Sequence, residues 1–142
     1  MFESVYSQIG VGITALVVGF AFLKGGEPER VAGAAFVLVV LAGLTVPGVL
    51  TGQGPRWSWF AFDVLLFAVL AGLYIHSRKT WTVWAMSFQA LIVTGHALVL
   101  LNISPPIDAF AAVNNLANYG VLVALAVGTF WAWQERRAAG LE

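Results

Sequence analysis

The chain has 142 residues, 60% hydrophobic and 10% charged, with a formal net charge of zero and no cysteine. Soluble domains hold about 45–50% apolar and about 25% charged residues; this composition, with a mean hydropathy of +0.86, predicts one all-α domain dissolved in lipid. The charge balance argues against a nucleic-acid partner, and without cysteine there are no disulfides, thiolate metal sites, iron–sulfur clusters or lipoprotein anchor.

A bilayer core about 30 Å thick takes roughly 20 apolar residues of helix, and five runs meet that length. The first covers 5–23 and ends at Lys24-Gly25-Gly26. No Lys or Arg precedes it, so it is expected to remain a helix rather than a cleaved signal. The second covers 31–50, after a turn and capped start at Gly25-Gly26-Glu27-Pro28-Glu29-Arg30. Pro47 is expected to kink its end. The third, 57–76, follows the breaker Gly52-Gln53-Gly54-Pro55, and the fourth, 81–101, follows Ser77-Arg78-Lys79-Thr80. The fifth covers 105–134: Ser104 caps, Pro105 suits the first turn and Asp108 complements the helix dipole. At ~45 Å it outruns the membrane, so it tilts or lays its first turns in the interface.

Five spans put the termini on opposite sides. Lys24, Arg30, Arg78, Lys79, Arg136 and Arg137 fall on one side and Arg56 on the other. By the positive-inside tendency the N-terminus is outside and the C-terminus cytoplasmic, in a bacterial inner (plasma) membrane. Trp57 and Trp59 then belong to an outer aromatic belt, and Trp81, Trp84, Trp131 and Trp133 to an inner one.

Helices in lipid associate through small residues that let backbones approach. Gly120, Ala124, Gly128 and Ala132 form the strongest such stripe, a packing face or an oligomer interface; Ala15 with Gly19 and Ala68 with Gly72 are weaker cases.

Depth then organises the polar residues. Asp63 and His96 each lie six residues from the outer surface, ~9 Å deep, on consecutive antiparallel spans, so they are expected to meet. Thr45, Asn114, Asn115 and Asn118 lie near that level, Gln8 enters from the first span, and Gln89 shares the His96 face nearer the middle. Intramembrane ionisable residues mark functional sites by default. The candidate ligand- or proton-binding set is therefore Asp63, His96, Gln89, Asn114, Asn118 and Thr45, with a structural plug, or an aspartate reaching the headgroups, as the competing readings.

His76 and His96 are ~20 Å apart in depth, too far to share a haem iron within one bundle. No H-E-x-x-H, phosphate-binding loop or G-x-S-x-G elbow occurs, and no inverted repeat. No cofactor, metal or catalytic residue is expected. The function expected first is a non-catalytic membrane subunit or binding module that assembles with itself or with a membrane protein. A small channel or proton-linked transporter using Asp63 and His96 comes second, and a lipid- or quinone-handling enzyme third.

Overall fold

The computed structural model describes residues 2–46, 56–103 and 107–140. Every regular element among them is helical: α1 (Phe2–Lys24), α2 (Glu27–Thr45), α3 (Arg56–Ser77), α4 (Thr80–Leu100) and α5 (Ile107–Ala138). Three of these are long and apolar enough to cross a membrane, over Phe60–Ser77, Thr80–Leu100 and Asp108–Ala138. Within the described part of α1, Gln8–Lys24 is a further apolar stretch, and α2 opens with Glu27, Glu29 and Arg30. The expected kink at Pro47 and the expected cap at Ser104-Pro105 lie outside the described residues.

Each helix packs on the next in sequence and α5 closes back on α1, so the five form a ring in chain order. The α4–α5 seam is the most extensive and α2 touches α5 across the ring. Two tight turns create this order. Between α1 and α2 the Gly25 N–H bonds to the Ala21 carbonyl, and a Cβ on Gly25 would lie 2.4 Å from that same oxygen. Between α3 and α4, Arg78 adopts a left-handed conformation (φ 56°) and its N–H closes on the Tyr74 carbonyl. At the other end of α4, Asn102 (φ 60°) terminates the helix as glycine often does. The Ile103 N–H reaches back to Leu98 and the Asn102 N–H to Val99, satisfying carbonyls the helix leaves unpaired.

The end carrying Lys24, Arg30, Arg78, Lys79, Arg136 and Arg137 is called the basic end. Burial concentrates toward it. Among the described residues, those buried in α1 lie on the basic side from Val18, in α2 from Gly33, and in α5 from Ala117. Ala21, Ala32, Leu70, Trp81, Ala85 and Leu125 belong to one apolar core there. The far end is packed more loosely and carries the polar candidates.

The Gly120–Ala132 stripe is a packing face within the chain. Ala124 and Ala132 are buried, and a Cβ on Gly120 would lie 2.7 Å from the Phe88 ring. On Gly128 it would lie 2.3 Å from Trp81. The other two small-residue pairs behave differently: Ala15 and Ala68 are exposed, and Gly19 and Gly72 face open space.

Candidate functional site

On α4, Thr82, Ala85, Gln89 and Ile92 are all buried at helical spacing, and His96 extends that stripe toward the far end. On α3, Asp63 precedes buried Leu66 and Leu70 by three and seven residues, on the face turned to the interior. The ring of helices therefore aims both groups at one place.

They meet there. His96 Nδ1 is bonded to Asp63 Oδ2, and the side chains are each 16% exposed. Gln89 approaches the same aspartate from the basic side. Its Nε2 donates to Asp63 Oδ1 at 3.3 Å and to the Asp63 backbone carbonyl at 3.1 Å. Gln89 is itself 1% exposed, so its amide has few alternatives to this carboxylate. Both carboxylate oxygens thus have partners two helical turns apart on α4. That is how a carboxylate persists in apolar surroundings: each acceptor removed from water regains a donor.

α5 covers the imidazole. Phe110 meets the His96 ring edge-on at 5.9 Å, and Gly95 makes room for the phenyl ring, since a Cβ there would lie 3.0 Å from it. One turn further along α5, Asn114 Oδ1 is buried without a hydrogen-bond partner. Asn118 follows but is exposed, its amide donating to the Asn114 carbonyl at 2.9 Å. Thr45 is exposed too, its hydroxyl bonded to the Ala42 carbonyl at 2.6 Å within its own helix. Gln8 and Asn115 are exposed, as is His76 in the last turn of α3. Asp63, His96 and Gln89 therefore form the bonded nucleus of the site, with Asn114 on the neighbouring helix. Thr45 and Asn118 bond within their own helices.

A second polar centre lies at the basic end, on the capped start of α2; sequence reasoning read the capped turn but not the burial of Glu29 or its tertiary partner. Glu29 is 1% exposed. Its Oε2 accepts the Gly26 N–H at 3.0 Å and its Oε1 the indole N–H of Trp81 at 3.1 Å. Glu29 stands three residues after Gly26, the spacing at which a glutamate reaches back to cap its own helix. That signal was readable in the sequence; the tryptophan partner, 52 residues away, was not. Trp81 is 6% exposed and hence a core residue rather than part of an aromatic belt, whereas Trp84 and Trp131 are exposed. Arg136 completes this centre by donating to the carbonyls of Lys24, the last residue of α1, and of Gly25 just after it.

No protein-family model, curated protein or solved structure matches the chain.

Proposed function

We propose that this chain is a five-span protein of the bacterial plasma membrane, N-terminus outside, that serves as a non-catalytic subunit or binding module. Three helices of spanning length support the membrane setting. For α2, Glu29 is covered by protein rather than lipid, which removes the main objection to a charged helix start at the membrane boundary. The one-sided distribution of Lys and Arg supports the orientation.

The assembly reading rests on the small-residue faces that the bundle leaves open. Gly12, Ala15 and Gly19 lie along one side of α1, and Ala68 and Gly72 along one side of α3, with open space at all three glycines. Such faces admit a second helix to close backbone approach. Mild-detergent extraction from native membranes followed by native mass spectrometry tests this. A defined oligomer, or a fixed stoichiometry with one membrane partner, is expected, and Gly19→Leu with Gly72→Leu should reduce it to a monomer. A native chain that is monomeric and alone refutes the reading.

The Asp63–His96 pair favours a second reading, a small channel or proton-linked transporter in which that pair carries the proton.

A further inference from the structure

Between the start of α4 and the end of α5, at the basic end, lies a groove of about 440 Å³, within the usual range of small-molecule sites. Gly128 and Ala132 help form it, and the exposed rings of Trp84 and Trp131 stand along it. Lys79, Thr80 and Glu135 line it as well. We propose that this groove holds a phospholipid with a zwitterionic amine headgroup, of the phosphatidylethanolamine type, from the leaflet at the basic end. The proposal rests on the reading of the chain as a membrane protein.

Charge complementarity selects that occupant. Lys79 and Glu135 stand 3.5 Å apart with side chains 38% and 67% exposed, the kind of solvent-facing ion pair that opens at little cost. A headgroup carrying phosphate and ammonium can part this pair and satisfy both members, the phosphate on Lys79 and the ammonium on Glu135. The start of α4 strengthens the phosphate half. Lys79 is its N-cap residue, in an extended conformation and with no side-chain cap; the Thr82 N–H turns back to the Lys79 carbonyl at 3.2 Å, which leaves the exposed Thr80 end of the helix and its positive dipole to an anion. A glycerol headgroup carries the same phosphate but no cation, and so would leave Glu135 without a counter-charge. A choline headgroup has no N–H to donate to it. Indole rings favour the depth at which headgroups give way to acyl chains, so Trp84 and Trp131 would hold the chains.

The test is lipid competition on the full-length protein in nanodiscs, read by native mass spectrometry. Phosphatidylethanolamine, phosphatidylcholine and phosphatidylglycerol are supplied in equal amounts, with circular dichroism to confirm the fold of each variant. Phosphatidylethanolamine should be retained about tenfold over the other two. Glu135→Gln should remove the preference over phosphatidylcholine, and Lys79→Gln should lower retention of all three. Equal retention by the native chain, preference for the anionic lipid, or an unchanged preference in folded Glu135→Gln overturns the proposal. Failure of the native chain to enter the lipid disc would instead overturn the membrane reading beneath it.

Discussion

At the level of single residues, Asp63 decides whether the far-end cluster has the chemistry proposed for it. Its two carboxylate oxygens are taken by His96 and Gln89, so an amide in its place must turn an N–H₂ either toward the donating Gln89 Nε2 or toward His96 Nδ1, which then has to switch to its accepting tautomer. Asp63→Asn is expected to cost about 1–3 kcal/mol in detergent unfolding, the range for stranding a buried partner. Combined with His96→Ala it should be non-additive by roughly 0.5–3 kcal/mol, as for groups in one hydrogen-bonded network; strict additivity would show that the pair does not interact. The same variant tests transport. Proton flux into liposomes that persists unchanged through folded Asp63→Asn rules the transporter reading out. The Asp63–His96 contact was legible because equal distance from a span end converts directly into equal depth. Thr45 and Asn118 share that depth too, but depth says nothing of which way a side chain faces. One turn of α5 advances the face by about 40°, enough to bury Asn114 Oδ1 and expose Asn118.

At the level of elements, α5 holds its neighbours through glycines that receive aromatic rings. The Gly120–Ala132 stripe was readable from four-residue spacing alone, but its partners Phe88 and Trp81 were not, since spacing along one helix carries no register against another. The two glycines should respond differently to a methyl group. At Gly120 it meets a Phe88 ring that is only partly buried. At Gly128 it meets an indole pinned by its hydrogen bond to buried Glu29, which is also the cap of α2. Gly128→Ala is therefore expected to destabilise the bundle by about 1–3 kcal/mol, the usual penalty for overpacking. It should do so by more than Gly120→Ala in the same thermal melt. Equal melting temperatures for the two variants would mean that the Glu29–Trp81 bond does not fix the ring. Tryptophan placement by membrane depth failed at Trp81 for a related reason. An indole N–H suits an interface only when no buried acceptor is within reach, and Glu29 supplies one.

At the level of the whole molecule, helix number and order were legible because hydropathy and turn signals alone determine them, with ends displaced by a few residues. The five-fold crossing is tested separately from the fold, since the helices of spanning length among the described residues are α3, α4 and α5. The absence of cysteine makes this direct: single cysteines report position without any background to remove. Gln8, Trp57 and Asn102 belong to the far end, and Gly26, Arg78 and Glu135 to the basic end. In intact cells a membrane-impermeant maleimide should label Gln8→Cys, Trp57→Cys and Asn102→Cys at once, and the other three only after permeabilisation. Each result bears on a different claim. The full reverse pattern would keep five spans and invert the orientation, placing the Asp63–His96 site near the cytoplasmic face. Labelling of Gln8→Cys and Gly26→Cys from the same side would remove α1 from the spans, and with it the lipid-exposed setting of the Gly12–Gly19 face. The assembly reading would then rest on α3 alone. The ring is closed by the α1–α5 seam and by Arg136 bonding the carbonyls of Lys24 and Gly25 at the end of α1, contacts that tie α1 to α5, a helix of spanning length. A helix held along a spanning partner in this way is expected to cross with it.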